Sequence, residues 1–153
     1  MGIEIKLKTP KSEVQATINA KGDLLKKAVT RQMSVIGEKV VNYARTNGSG
    51  LKDYIDRTGN LRSSIGYIVT QDGNQQSQGG FNQVLSGAEG VQKGKQHAQE
   101  VASRGGSDVS LVVVAGMNYA EYVERRGYDV LSGAKLECER LVSEMVNDLK
   151  NTL

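Results

Sequence analysis

Residues 57–65 read Arg57-Thr58-Gly59-Asn60-Leu61-Arg62-Ser63-Ser64-Ile65, and this first motif joins a tight turn to the start of a strand. Gly59 can take a positive φ without steric cost, so it marks the point where the chain reverses. We expect Leu61 and Ile65 to point into the core. Apolar side chains then recur at every second position from Ile65 to Val69. This period of two predicts a strand of about six residues.

Two arginines, Arg57 and Arg62, flank the turn, and two interpretations of them are open. One of them binds a carboxylate such as Asp56 or Glu124, because the guanidinium fork can hold a carboxylate through two hydrogen bonds. Alternatively, both face the phosphates of a nucleic acid. Few aromatic residues lie in this part of the chain to stack on bases, so we do not expect sequence-specific reading of DNA.

A second motif covers residues 114–124, Val114-Ala115-Gly116-Met117-Asn118-Tyr119-Ala120-Glu121-Tyr122-Val123-Glu124. Gly116 ends a strand, and the following residues suit one and a half turns of helix that close at Gly127. We expect the rings of Tyr119 and Tyr122 to cover the sheet edge, with their hydroxyls and Glu121 or Glu124 at the rim. Tyrosine at such a rim is typical of contacts between subunits.

Periodicity predicts the rest of the fold. Apolar residues recur at steps of three and four from Asp23 to Ala44 and again from Ala134 to Leu149, which predicts two amphipathic helices. Asp23 is the predicted N-cap of the first helix and residues 47–50 its predicted stop, and Ser132 lies near the start of the second. Residues 109–115 are apolar on both faces, which predicts a central strand antiparallel to the one after Ile65. The sequence therefore predicts a single α+β domain over residues 1–153: a small antiparallel sheet packed against a long N-terminal helix and a C-terminal helix.

Residues 71–108 separate the two strands and contain eight Gly and eight Gln. Their few large apolar residues include Phe81, Val84 and Leu85. Burying these would contribute less free energy than ordering 38 backbones costs, even with a helix at about residues 88–103. We therefore expect a flexible Gln/Gly-rich hairpin arm, which is either a tolerated mobile insertion or an arm that orders when it meets a partner.

Composition sets the broad class. Charged residues make up 24% of the 153 residues and hydrophobic ones 38%, and no run approaches the roughly 18 apolar residues of a membrane helix. The N-terminus lacks an apolar signal core, so we expect the chain to stay in the compartment where it is made. Residues 1–70 hold 12 Lys and Arg against 6 Asp and Glu, a net charge of +6, whereas residues 71–108 and 109–153 carry −1 and −2. The basic half, residues 1–70, could attract the acidic half, residues 71–153, of a neighbouring copy, or it could face phosphate.

Residues suited to catalysis are sparse. The single cysteine, Cys138, falls on the apolar stripe of the C-terminal helix, and the single histidine, His97, lies in the Gln/Gly-rich segment. Carboxylates occur at helical spacing in two pairs, Asp53 with Asp56 and Glu121 with Glu124, but such pairs are common on helix surfaces. No nucleotide-binding glycine pattern is present. We expect neither an enzyme nor a cofactor or metal site.

The order of these elements, with the two motifs between the helices, resembles the tail-completion or head–tail joining proteins of long-tailed bacteriophages. The matching positions are Arg57, Thr58, Gly59, Leu61, Arg62, Ser64 and Ile65, followed by Ala115, Gly116, Tyr119, Ala120, Tyr122, Val123, Glu124 and Gly127. Gly127 is displaced by one residue from the family pattern, and residues 71–108 are longer and more polar than the family suggests.

The resemblance implies a structural protein of the virion neck that assembles in the host cytoplasm into a ring, with sixfold symmetry favoured over twelvefold. Such a ring would contact portal-side connector and tail-tube proteins and surround the channel through which the genome passes. The alternative is a nucleic-acid-binding or nuclease-like accessory protein, suggested by the basic half and the carboxylate pairs. A toxin or immunity module would rest on size alone.

Overall fold

The elements follow one another in the predicted α+β arrangement. The computed structural model describes residues 3–4, 15–46, 54–106 and 108–152. Its helices and strands are β1 (Ile3–Glu4), α1 (Gln15–Arg45), α2 (Asn60–Ser63), β2 (Ile65–Gln71), β3 (Asn74–Gly80), α3 (Ala88–Ala102), β4 (Val109–Ala115), α4 (Ala120–Arg125) and α5 (Ser132–Thr152). The strands form one antiparallel sheet in the order β1-β4-β2-β3, with α1 and α5 packed against it.

The sheet is covered on both faces because its two central strands alternate between two hydrophobic clusters. On one face, Ile65 and Val69 of β2 and Val113 of β4 pack with α1 and α5. On the other face, Ile68 and Val112 pack with α3. The predicted antiparallel pairing of β2 with β4 is confirmed, and β4 is a central strand as its apolar run indicated.

Helix α1 is longer than its apolar pattern predicted. The predicted stripe is present, since Val29, Met33 and Val40 are buried. The helix begins at Gln15, however, so Asp23 lies inside it and the prediction of Asp23 as N-cap is wrong. The predicted stop at residues 47–50 lies outside the described residues.

A second stripe on α1 consists of polar residues four positions apart, and it contacts the hairpin of β2 and β3. Residues at this spacing lie one above another on a helix. The contacts are Lys26 Nζ to Asp72 Oδ1 at 3.0 Å, Thr30 Oγ1 to Gln71 Oε1 at 2.9 Å, the Ser34 and Ser77 hydroxyls at 2.6 Å, and the Tyr67 hydroxyl to Glu38 Oε1 at 2.9 Å.

Residues 71–108 differ most from expectation. Asp72 and Gly73 have φ of 51° and 79°, the two positive values that a tight two-residue hairpin turn requires. Strand β3 then pairs along β2, and α3 lies over the second face of the sheet. The predicted arm is thus, in this structure, a strand and a helix packed on the domain.

The physical reason lies in what the rest of the chain supplies to this segment. Main-chain hydrogen bonds from β2 hold β3, and the apolar second face of β2 and β4 receives α3, so the segment does not depend on its own apolar residues. Phe81 is buried beneath α3, Val84 is half-buried, and Leu85 is exposed.

Helix α5 begins at Ser132, as predicted, and its apolar stripe faces α1. Ala134, Cys138, Leu141 and Met145 are buried in the larger cluster. Among the described residues, no helix is both long and apolar enough to cross a lipid bilayer.

Candidate functional site

The first motif forms a turn held by a carboxylate. Gly59 has a φ of 77°, the positive value that its place in the turn predicted. The Asp56 carboxylate accepts hydrogen bonds from the amides of Leu61 at 3.4 Å and Arg62 at 2.8 Å. Thr58 is exposed, and its carbonyl accepts a hydrogen bond from the Ser86 hydroxyl. Asp56 therefore fixes the turn through backbone amides, as side-chain oxygens do at helix N-termini.

Neither Asp56 nor Glu124, the two carboxylates expected to bind these arginines, forms an ion pair with Arg57 or Arg62 among the described residues. Asp56 binds backbone amides, and Glu124 binds the start of α5, as described below. The Arg62 guanidinium lies over the Tyr54 ring at 5.5 Å from its centroid. Arg57 is exposed and forms no ion pair with a described residue. Asp56, one of the two carboxylates expected to bind an arginine, instead caps the turn through backbone amides.

A different arginine, Arg45 at the end of α1, holds the motif in place. Its Nη1 donates to the Arg62 carbonyl at 2.9 Å and its Nη2 to the Asn82 carbonyl at 2.9 Å. Partial burial lowers the pKa of Arg45 from its usual value. The role of Arg45 could not be predicted from the sequence, because nothing in the local pattern of α1 shows that its last turn faces Arg62, 17 residues further along the chain.

The two motifs meet at the junction of Ser64 and Gly116. The Gly116 amide donates to the Ser64 carbonyl at 3.2 Å and to its Oγ at 3.1 Å. The Ser64 hydroxyl itself donates to the Leu61 carbonyl at 2.7 Å. One residue further along, Ile65 pairs with Ala115 in the sheet. The two glycine-anchored segments therefore fold against each other.

Glycines of α3 let this helix approach both motifs. A Cβ built at Gly90 would lie 2.1 Å from the Asn60 carbonyl oxygen, and one at Gly94 would lie 2.5 Å from that of Ser64. On the facing side, a Cβ at Gly116 would lie 2.4 Å from the Gly94 Cα. Since real side chains do not approach this closely, these positions need glycine for contact. The signal that sequence reasoning missed was a stripe of glycines at helical spacing, which was interpreted as flexibility.

Glu124 of the second motif caps α5. Its Oε1 accepts hydrogen bonds from the amides of Leu131 at 3.3 Å and Ser132 at 2.6 Å, and from the Ser132 hydroxyl. Nearby, Asp129 Oδ1 accepts from the Gly133 amide at 2.9 Å. Two carboxylates at the positive end of a helix stabilise it by charge as well as by hydrogen bonding. Gly127, with a φ of 91°, ends the short helix α4 between them.

The tyrosines lie differently from the prediction. Ala120 is buried and Val123 half-buried, so these two residues face the core. Tyr119 is 38% exposed and Tyr122 is 60% exposed. Partial desolvation raises the pKa of Tyr119. The Tyr122 ring therefore lies mainly at the surface instead of covering the sheet, while the smaller Ala120 and Val123 of α4 pack with the core.

This outward placement creates an exposed apolar and charged surface beside the junction. An open cavity of about 490 Å³, here called the basic groove, is lined by Tyr54, Ile55, Arg57, Tyr122, Val123, Arg126 and Tyr128. A second open cavity of about 570 Å³, the acidic groove, is lined by Tyr43, Glu124, Gly127, Tyr128, Asp129, Ser132, Gly133, Leu136, Glu137 and Arg140. Tyr128 borders both, so they form parts of one surface.

Several titratable side chains named in the sequence analysis make structural contacts in the described part of the chain. The carboxylates Asp56 and Glu124 each hold a helix end, and Asp53, the partner of Asp56 in the predicted pair, lies outside the described residues. No group of three His, Cys, Asp or Glu within the described ranges is arranged to hold a metal ion. Burial raises the pKa of Cys138 to about 11, which leaves its thiol protonated at neutral pH.

Searches of protein families, of curated proteins and of solved structures found no match to this chain.

Proposed function

We propose that this protein is a structural subunit of the head–tail junction of a long-tailed bacteriophage, a tail-completion or head–tail joining protein. It assembles into a ring, with six copies favoured, between portal-side connector proteins and the tail tube. Genome DNA passes through the lumen of this ring without sequence-specific binding. The protein works by binding, without catalytic turnover, and it is located in the virion neck.

One observation supports this function most directly. The two motifs that carry the family resemblance lie side by side, joined by the hydrogen bonds from Gly116 to Ser64. Beside this junction lies a surface of exposed tyrosine, isoleucine and arginine side chains, the residue types that concentrate at protein interfaces. A rigid junction next to such a surface suits a subunit that must hold its shape within an assembly.

The experiment is a gene deletion in the phage genome that encodes the chain, complemented from a plasmid. We expect electron microscopy of the deletion lysate to show filled heads and separate tails, and complementation to restore joined particles. A deletion lysate with normally joined, infectious particles would contradict the proposed function. So would reconstructions of the virion that place the protein outside the neck.

The nuclease-like alternative predicts a different result. Purified protein would cleave DNA when a divalent cation is added, and the Glu121→Gln and Glu124→Gln variants would lose this cleavage. We expect no cation-dependent cleavage, because the Glu124 carboxylate is occupied at the start of α5.

A further inference from the structure

We infer that the surface formed by the basic and acidic grooves binds a second copy of this chain, with the basic groove of one copy against the acidic groove of the other. This inference goes beyond the proposed function, since it names a surface that would pair two copies whether or not such pairs join into a ring. It is carried by the charge, the exposed apolar residues and the continuity of the two grooves.

Among the described residues that line it, the basic groove carries two positive charges and no negative one. Its ionised side chains are Arg57, which forms no ion pair with a described residue, and Arg126, whose guanidinium lies 5.3 Å from the centroid of the Tyr122 ring. Ile55 is 85% exposed, the most exposed large hydrophobic residue described in this chain. An occupant that fits this groove supplies apolar contact together with carboxylates.

The acidic groove has the opposite charge. Among its described lining residues, the carboxylates of Glu124, Asp129 and Glu137 outnumber the single guanidinium of Arg140, which leaves a net charge of −2. Glu137 pairs with Arg140 at 2.6 Å, and Glu124 and Asp129 accept amide hydrogen bonds at the start of α5, so the negative charge acts on a partner mainly through its electrostatic field. Leu136, 68% exposed, also lines this groove. The acidic groove therefore offers the apolar contact and the negative charge that the basic groove lacks.

A second copy is the occupant that satisfies both grooves together. The net charges of +2 and −2 match, and each groove presents a large exposed aliphatic residue, Ile55 or Leu136, to the other. A nucleic acid would suit only the basic groove, because phosphates would be repelled by the carboxylates beyond Tyr128. Because the two grooves share Tyr128, a partner that covers one of them lies beside the other.

The experiment exchanges charges between copies. We expect Arg57→Glu and Glu137→Arg, each alone, to weaken self-association on the order of tenfold or more, because each places like charges opposite one another. An equal mixture of these two variants restores association, since the reversed charges then face each other. Sedimentation velocity over a range of protein and salt concentrations measures both effects, and added salt weakens wild-type association.

A matched pair of leucines provides the apolar control. Leu136→Ala removes an exposed side chain from the acidic groove, and we expect it to weaken self-association by roughly tenfold. Leu24→Ala removes a side chain of the same type that is 67% exposed on α1, outside both grooves, and we expect no change. Circular dichroism spectra of both variants should match that of the wild-type protein.

Several outcomes would overturn the inference. These are a wild-type protein that stays monomeric at all concentrations, equal effects of the two leucine variants, and a charge-exchange mixture that fails to associate. Binding of a single-stranded DNA probe that Arg57→Glu abolishes, without self-association, would assign the basic groove to nucleic acid instead. If the mixture of the two charge variants forms dimers and no rings are found, the surface proposed here is supported and the ring of the proposed function is contradicted. Failure of this inference can thus be distinguished from failure of the proposed function.

Discussion

The backbone amide of Gly116 donates to both the carbonyl and the hydroxyl oxygen of Ser64, and this forked contact joins two segments 52 residues apart. Ser64 is fully buried, and its hydroxyl also donates to the Leu61 carbonyl. A single small side chain thereby links the turn of the first motif to the end of the central strand β4. The stability of this junction can be tested one residue at a time.

Replacing Ser64 with Ala should lower the free energy of unfolding by about 1–3 kcal/mol, because two hydrogen bonds are lost: the Leu61 carbonyl loses one of its two donors and the Gly116 amide loses one of its two acceptors. Urea denaturation followed by circular dichroism measures this loss. Ser86→Ala is the matched control, since the Ser86 hydroxyl makes one hydrogen bond at an exposed position. A loss no larger than that of the control would show that the Ser64 hydroxyl does not stabilise the junction.

Replacing Gly94 with Ala should destabilise the protein by about 1–3 kcal/mol, since the added methyl group would overlap the Ser64 carbonyl and force α3 away from the sheet. Helix propensity alone predicts the opposite sign, a gain of about 1 kcal/mol for Ala over Gly. The sign of the change in the urea midpoint therefore decides between contact and propensity. A stabilised Gly94→Ala variant would contradict the close approach of α3.

Replacing Glu124 with Ala should cost about 0.5–2 kcal/mol, because the start of α5 loses its side-chain acceptor. Glu121 is a matched control on the same short helix, where its carboxylate pairs with Arg125 at the surface. Glu121→Ala should cost only about 0.3–0.5 kcal/mol. Equal costs in thermal or urea unfolding would mean that Glu124 does not cap α5.

The pH dependence of stability should reveal Tyr67. Desolvation, followed by the hydrogen bond to Glu38, raises the pKa of Tyr67 from 10.0 to about 12. Because the folded pKa is higher than the unfolded one, the stabilisation is complete below pH 10 and is lost as the pH rises towards 12. Urea unfolding at a series of alkaline pH values measures this loss. Tyr67→Phe should lack this component of the decline, and an unchanged alkaline profile in that variant would assign the decline to other groups.

Most elements were predictable because their signals are local. The apolar stripe of α1, the alternation of β2 and the two-faced run of β4 each depend on neighbours within a few residues. The Asp72-Gly73 turn was also predictable from the sequence, since this dipeptide favours a two-residue hairpin. The surrounding Gln and Gly residues, however, indicated a flexible arm.

The rest of the site depends on partners that are distant in sequence. Nothing near Gly90 or Gly94 shows that these glycines face a turn about 30 residues earlier. Asp56 and Glu124 were considered as partners of arginines or of a metal ion, whereas each binds the amides at a helix start. Helical spacing shows which residues share one face of α4, but it does not show whether that face points towards the sheet or towards solvent. The position of Tyr122 could therefore not be predicted from its spacing.

The polar stripe of α1 has a consequence for the uniqueness of the fold. An apolar stripe tolerates sliding by one turn, because one aliphatic side chain can replace another in a hydrophobic contact. Lys26 and Thr30 instead require Asp72 and Gln71 at fixed heights along the helix axis. A slip by one turn would break all the polar contacts of the stripe at once and leave Glu38 without the Tyr67 hydroxyl. These polar contacts thus fix the axial position of α1 relative to the β2–β3 hairpin.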